Sequence, residues 1–510
     1  MRIQSRLVRA LAVAICVALW AVTGASASGV QRHAPPRGAR TIHVAGAAAT
    51  APHGTLTGLA SGTSGLLRSF DAVGSRQSGL TNFGAEFEPP DQGLCVGNGY
   101  VVEMVNSAWQ VFSSNGRALT RGQNVNAPFG DGFRQFTSDP RCTYDPATNT
   151  WFATILFLND TFTRGRLDIA VNTSGDPTTS WRHVRIDTTD LGGNGCPCFG
   201  DQPRIGIDAH NLYVTTDEFS INEPVFNGAQ LYAISKSDLV AGDSTPHFAH
   251  LGLRVDGDVA FGVQPALTYG PAGAEYMMSS LDPVNAGDNR LAVWALTHVD
   301  RVDRGGQPSL SVRIIHSESY SMPPAAREKG GRSLDSGDDR MQQVEYVSGN
   351  LWGELGTAFQ PPGAAKPRAA IAWFDVAVTP GANGPVADAS VARQGYLSLS
   401  GHDLTYPALQ ADAAGNAAVG FTVSSHASYP STGYSLLGAG SSDFGPVVVT
   451  GVGTGPYDPK ATRWGDYGWA ALEAGTNHVW LANEYIPPLS SQTADGRRNW
   501  GTRITEVSLP

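Results

Sequence analysis

The stretch TSDPRCTYDPATNTWFATILFL, residues 137–158, carries a phrase that returns along the chain. It opens at Asp139-Pro140-Arg141, runs through a short apolar strand, turns at Asp145-Pro146-Ala147-Thr148-Asn149 and enters a second strand at Trp151. Working outward, equivalent openings stand at Asp91-Gln92-Gly93, Asp201-Gln202-Pro203, Val263-Gln264-Pro265, Met341-Gln342-Gln343, Tyr406-Pro407 and Gly465-Asp466-Tyr467. Each is followed by a turn of the same kind, such as VGNGY, DAHNLY, GPAGAEY, VSGNLW, DAAGN or EAGTNHVW. The openings lie roughly 50–80 residues apart. One hairpin cannot bury its apolar face alone, so repeats at this period imply sheets stacked around an axis.

The second phrase continues into LDIAVNTSGDPTTSWRHVRID, which reads as two further strands, and the third repeats the plan through AQLYAISKSDLV. Short apolar runs bounded by Gly, Pro, Asn and Asp are strand signals. Four strands per unit and seven units give an all-β fold, a seven-bladed β-propeller with four-stranded antiparallel blades over residues 67–510. Six or eight blades also fit the spacing. Arg301 to Arg340 reads as a long loop. The last blade is completed by Thr502–Ser508 or by a strand near Phe70, and such closure removes an exposed edge.

The N-terminus has three arginines, an apolar run from Ala10 to about Val22 and the small-residue site Ala25-Ser26-Ala27. Residues 1–27 therefore read as a secretory signal peptide, which makes the protein secreted and extracellular, with no stable membrane span once the signal is removed. Residues 28–66, rich in Ala, Gly, Pro, Ser and Thr, read as a linker or pro-segment. With 60 glycines, 32 prolines and 16% charged residues, the remainder has the profile of a turn-rich β protein. A net charge of -10 leaves no basic stripe for nucleic acid. A monomer is expected.

Cys16 leaves with the signal, and Cys95, Cys142, Cys196 and Cys198 remain. Export favours disulfides, and four cysteines allow three pairings. Cys95 and Cys142 stand at nearly equivalent places in neighbouring repeats, while Cys196-Pro197-Cys198 either closes on itself or staples the third repeat to the first two. The spacing fits no common zinc module. No calcium loop is present, although the Asp and Asn content leaves Ca2+ open as a cofactor.

In a propeller the repeat openings converge on one rim of the central channel. That rim would gather Asp91, Asp139, Asp201 and Asp466, with Arg141, Arg204, Arg340 and Arg463 close by and Tyr406 and Tyr467 among them. Paired carboxylates suit acid–base work on a glycosidic bond, making Asp139, Asp201, Asp91, Asp466 and Tyr467 candidate catalytic residues. Guanidiniums fork onto carboxylate or sulfate, making Arg141, Arg204, Arg340 and Arg463, with Tyr406, candidate substrate-binding residues. The competing reading is structural: Asp caps turn amides, and neighbouring Asp and Arg pair with each other. Asp217-Glu218 and Glu484-Tyr485 read as strand ends facing solvent. Trp109, Trp151, Trp352, Trp373, Trp464, Trp469 and Trp480 suit sugar stacking, but their places beside turns favour wedging between blades. Ser174-Gly175-Asp176-Pro177-Thr178-Thr179-Ser180-Trp181 approximates the Asp-box turn of sialidase-type propellers, with Thr178 where the box has Gly. Ser441–Val448 echoes it weakly. Such turns support fold, not catalysis.

The segments EPPDQGLCVGNGYV, SDPRCTYDPATNTWF, CFGDQPRIGIDAHNLYVTTDEFS, RMQQVEYVSGNLWG, LTYPALQADAAGN and RWGDYGWAAL together resemble a family of secreted, mostly uncharacterised bacterial β-propeller proteins that are loosely sialidase-like. The resemblance spans roughly Phe70 to Ile486. It implies propeller and export and carries over no catalytic residues. A sialidase likeness implies an arginine triad and a Tyr–Glu pair; Arg141, Arg204 and Arg340 with Tyr406 or Tyr467 imitate these but do not stand in the sialidase order. The function expected is a carbohydrate-active protein, a glycoside hydrolase or lyase on an extracellular and acidic glycan. The alternatives are a non-catalytic propeller binding glycan or a surface protein, and a structural surface module.

Overall fold

The computed structural model describes residues 54–510 apart from 61, 85–86, 192–194, 224, 283–285, 331–332, 382–385, 458–462 and 489–498. The signal peptide and most of the linker lie outside the described residues. Among the described residues no helix is long and apolar enough to cross a membrane.

Seven four-stranded antiparallel units form the ring. From the channel outward, blade 1 is Gly93–Gly97, Tyr100–Val105, Ala108–Ser113 and Gln123–Asn124, and blade 2 is Phe136–Asp145, Thr150–Leu158, Gly165–Asn172 and Arg182–Asp187. Blade 3 is Cys198–Ile207, Asn211–Ser220, Phe226–Ser235 and Phe248–Gly252, and blade 4 is Gln264–Pro265, Glu275–Ser280, Asp288–Thr297 and Ser309–Tyr320. Blade 5 is Met341–Val347, Asn350–Phe359, Arg368–Pro380 and Val386–Leu399; blade 6 is Asp403–Ala411, Ala417–Ser425, Ser428–Leu437 and Val448–Gly451. Blade 7 takes three strands from the C-terminus, Trp469–Leu472, His478–Tyr485 and Gly501–Ser508, and its outermost strand, Leu66–Gly74, from the N-terminus. Both segments expected to close the ring take part. Gly54–Thr57, at the end of the stretch read as linker, lies parallel to Tyr396–Leu399 on the outer edge of blade 5.

Each inner strand packs against the next, and that of blade 7 returns to that of blade 1. The faces between blades are filled by clusters such as Trp352, Trp373, Leu397 and Phe421. All seven tryptophans singled out above are buried, so they wedge blades and do not offer sugar platforms. The Asp-box-like turn sits between the outer strands of blade 2. There Asp176 Oδ1 accepts from the Thr178 amide at 2.9 Å and Trp181 Nε1 donates to the Pro177 carbonyl at 3.0 Å.

One expectation is corrected. Ser309–Tyr320, inside the presumed loop, is the outer strand of blade 4. Its alternation is masked because an outer strand exposes most of its side chains, here SLSVRIIHSESY with only Ile315 and Tyr320 buried.

The recurring phrase has a conformational cause. In blades 2, 3, 5 and 6 the inner strand carries one extra residue at the opening, between Ser138 and Arg141, Asp201 and Arg204, Met341 and Gln343, and Thr405 and Ala408. Asp139, Gln202 and Tyr406 take positive φ of 61°, 46° and 52° there. Asp91 and Asp466 do the same, at 52° and 127°, just before the inner strands of blades 1 and 7. Bulges re-aim side chains and tolerate Pro within a sheet, which accounts for Pro140, Pro203 and Pro407.

Candidate functional site

The openings lie at one mouth of the channel, and hydrogen bonds link those of blades 1, 2, 3 and 5. Asn106, from blade 1, donates to Asp91 Oδ2 at 2.6 Å and accepts from the Asp139 amide at 2.7 Å. Asp139 Oδ2 accepts from the Gln202 amide at 3.2 Å, joining blade 2 to blade 3. Gln202 Oε1 accepts from Arg204 Nη2 at 3.0 Å and from Arg340 Nη1 at 2.6 Å. Arg204 also donates to Asp217 Oδ2 at 2.8 Å. Arg340 forks onto Asp338, with Nε to Oδ1 at 2.7 Å. Arg463 pairs with Asp466 on the far side.

Six of the ten candidate residues, Asp91, Asp139, Arg204, Arg340, Arg463 and Asp466, take part in these contacts. The environments of the ten differ. Arg141 and Arg204 are 2% and 1% exposed, beneath the rim surface. The Arg141 guanidinium lies 3.3 Å over the Tyr467 ring and 4.5 Å from that of Trp469, and its Nε and Nη1 have no hydrogen-bond partner. Burial draws its pKa down to about 10. Tyr406 and Tyr467 are buried too. A roof covers this side: Tyr457 packs edge-on against Trp464 and donates to Glu88 Oε2 at 2.8 Å, while Ala326, Leu334 and Trp500 complete the apolar layer. The opening left in the roof exposes parts of Ser138, Asp201, Phe261, Asp338, Arg340 and Arg463.

The carboxylates at that opening are driven apart in protonation. Burial, then the negative charge of Asp139, pushes Asp201 well above the usual range, against the pull of Arg340. Asp338 is drawn below the usual range, the Arg340 guanidinium outweighing its burial. Asp91 is raised by burial, then by Asp466 and Asp139. Asp466 rises to about 6, burial outweighing Arg463. Two partly exposed carboxyls of one rim whose pKa values are pushed in opposite directions are the kind of groups acid–base chemistry uses.

Sequence reasoning missed Asn106, Gln202 and Asp338. Gln202 was legible inside its own opening phrase; the others lie on loops with no distinguishing spacing. Asp217, Glu218 and Glu484, expected to face solvent, are corrected: they are 1%, 0% and 3% exposed, inside the second strands of blades 3 and 7. Glu484 Oε2 accepts from the Gly465 amide at 2.8 Å.

The opposite end of the channel holds a cavity of about 250 Å3, lined mainly by apolar and aromatic groups including Leu94, Val96, Tyr144, Tyr269 and Trp469. It holds none of the rim charges. Among the described residues, groups with metal-ligand spacing occur at Cys196–Cys198–Glu218, next to Asp201 and Asp217 on blade 3, and at Glu473–His478–Glu506 on blade 7. The cysteines of the first are oxidised, and Glu506 of the second is already paired with Arg68 and His478.

The buried pair Arg204–Asp217 is expected to be structural. Arg204→Met should destabilise the fold by about 3–5 kcal/mol in chemical denaturation, because it removes one partner of a buried ion pair and leaves Asp217, 1% exposed, without its nearest cation. Adding Asp217→Asn should recover much of that loss; an unchanged transition in Arg204→Met would refute the assignment.

No protein-family model and no curated protein matches this chain. Solved structures similar to it include a sialidase of Trypanosoma rangeli in complex with sialic acid, at a TM-score of 0.36 and 9% identity, covering 78% of this chain and 57% of that one. Another is the GH93 α-L-arabinofuranosidase of Fusarium graminearum in complex with arabinobiose, at 0.32 and 9%, covering 72% and 92%. A third is the α-L-arabinanase of Penicillium chrysogenum complexed with arabinobiose, at 0.32 and 12%, covering 73% and 93%. At this distance no residue's role is taken from them.

Proposed function

We propose that this protein is a carbohydrate-active propeller that hydrolyses a glycosidic bond at the half-open mouth of its channel. The observation that carries the reading is that Asp201 and the Asp338–Arg340 pair are among the partly exposed residues of the rim, with the Asp201 carboxyl raised and that of Asp338 lowered. Asp201 donates its proton to the leaving glycosidic oxygen. The Asp338 carboxylate stabilises the developing positive charge or activates water. Asp139, hydrogen-bonded to Ser138 and to the Gln202 amide, adds its charge to the effect of burial in raising the Asp201 carboxyl.

The expected acidic glycan finds no free guanidinium in Arg340 and Arg463, whose side chains are 11% and 20% exposed and already paired with carboxylates. A neutral glycan fits a rim in which acids outnumber bases. The same reading takes the mature chain to be exported, supported by the two disulfides, which the cytosol does not preserve. A second reading, a glycan-binding propeller without turnover, is favoured by one feature: the rim charges are satisfied by one another before any ligand arrives.

A panel of neutral and acidic polysaccharides separates the two. Asp201→Asn is expected to lower turnover on the order of 10²–10⁴-fold while the protein still binds and melts normally. Wild-type binding without turnover supports the second reading. Absence of both binding and turnover across the panel overturns the carbohydrate assignment.

A further inference from the structure

A second chemical site lies on blade 3, on the same two strands as the rim residues Asp201 and Asp217, where Gly200 pairs with Glu218 and Cys198 with Ser220. Cys196 and Cys198 form a disulfide across a single proline. Cys196 is half-buried and Cys198 buried, so one sulfur is open to attack and the other is shielded. The Cys198 sulfur accepts a hydrogen bond from Asn227 Nδ2 at 3.0 Å. A Glu218 carboxyl oxygen lies within 4.8 Å of both sulfurs. Glu218 is fully buried, and neither of its carboxyl oxygens has a hydrogen-bond partner. Next to this group a polar cleft of about 190 Å3 opens to solvent, lined by Leu191, Asn227, Gln230, His250 and Arg254 among others.

The other disulfide also borders a cavity, the apolar one at the opposite end of the channel, but among the described residues no carboxyl group lies beside it in a metal-ligand-like cluster and no side-chain amide donates to its sulfurs. Cys95 and Cys142 are both buried in an apolar cluster with Val102, Met104 and Trp151. An unsatisfied carboxyl is costly to keep in a protein interior, and its place beside a shielded sulfur gives it a use.

We propose that Cys196–Cys198 is a thiol–disulfide exchange site, with Glu218 as the proton carrier for Cys198 and a dithiol as the partner. A thiolate of the dithiol attacks Sγ of Cys196, forming a mixed disulfide and breaking the Cys196–Cys198 bond. The bond's electron pair goes to Cys198 Sγ, where the Asn227 amide stabilises the negative charge and the Glu218 carboxyl gives up its proton. The second thiol of the dithiol, as thiolate, then attacks the mixed disulfide and releases Cys196, which takes a proton from solvent. Glu218 regains its proton from solvent. The protein's disulfide has gained two electrons and two protons, and the dithiol has lost them and closed to its own disulfide.

Burial alone raises the Glu218 carboxyl to about 8, so it holds a transferable proton at neutral pH. The titratable groups on the same side of the blade are the Tyr232 hydroxyl, itself raised by burial and by Glu218, and His250, stacked on Tyr232 at 5.0 Å and held neutral by burial.

The test uses the full oxidised chain, graded dithiothreitol, an alkylating quench and intact-mass analysis with peptide mapping. The expected result is two labels, on Cys196 and Cys198, at dithiol concentrations that leave Cys95–Cys142 intact and the protein folded. Glu218→Gln should keep the melting transition, slow the exchange at pH 6–7 on the order of 10²-fold and remove the inflection near pH 8 from the rate–pH profile. Asn227→Ala should slow the exchange without moving that inflection. Simultaneous reduction of both disulfides, reduction only on unfolding, or a wild-type rate and pH profile in Glu218→Gln would each overturn the proposal.

Discussion

A chain shortened to residues 75–510 is expected not to form the ring. Its missing strand, Leu66–Gly74, is the outer strand of blade 7 and pairs with Gly501–Ser508. That pairing also satisfies buried charge. Arg68 pairs with Glu506, a side chain 4% exposed, and Asp71 bonds both Arg503 and Tyr485. The Val73 amide donates to Glu103 Oε2 at 2.8 Å, across the junction between blades 7 and 1. Removing the strand leaves Glu506 with His478 alone, Glu103 without its donor, and Gly501–Ser508 as an unpaired edge. Uncompensated buried carboxylates cost several kcal/mol each, and an open edge invites association. Size-exclusion and calorimetry should show aggregates without a cooperative transition. A monomer melting like the full chain would refute the role of the seam.

Stability is expected to fall as pH rises from about 5 to about 9. The cause is a set of interior acids held neutral by burial: Glu103 at about 7, Glu218 at about 8, Asp168 at about 8 and Asp339 at about 9. The sign follows from linkage. In the unfolded chain these groups release their protons at ordinary values of 3.8–4.5, whereas in the folded chain they hold them to higher pH. Their favourable contribution is therefore complete below the unfolded pKa and is lost as pH rises through the folded values. For Glu103, moved from 4.5 to about 7, the loss is on the order of 3 kcal/mol. His250, with its pKa lowered, opposes the trend weakly below its unfolded value of 6.5. Asp338, lowered by Arg340, sets the acid limit, since its contribution disappears as pH falls below the unfolded 3.8. Denaturant unfolding at pH 5, 7 and 8.5 measures the slope, and Glu103→Gln should flatten it by stabilising the protein at the alkaline end. A midpoint that rises between pH 5 and 8.5 would contradict the whole account.

The ring was legible because its signals are local. Turn residues, apolar runs and the opening phrase each act within about ten residues, and their repetition gave seven units with their inner strands. Even the bulge left a trace, as Asp-Pro, Gln-Pro or Tyr-Pro at a fixed place. The outer strand Ser309–Tyr320 escaped because an outer strand is half solvated and loses the alternation that marks its inner neighbours.

By itself the sequence determined the architecture, the side of the ring on which the openings lie and the set of charged groups brought there. Only the tertiary structure decided which charges meet, which are buried and which cysteines join. Asp139 and the Gln202 amide are 63 positions apart, and Gln202 and Arg340 are 138 apart. Nothing in a local pattern encodes such a partner. The same holds for Glu218, whose sequence context reads as a strand end and whose burial is imposed by chain remote from it. Strand and turn preference is a property of short segments, whereas burial and charge pairing are properties of the space those segments enclose.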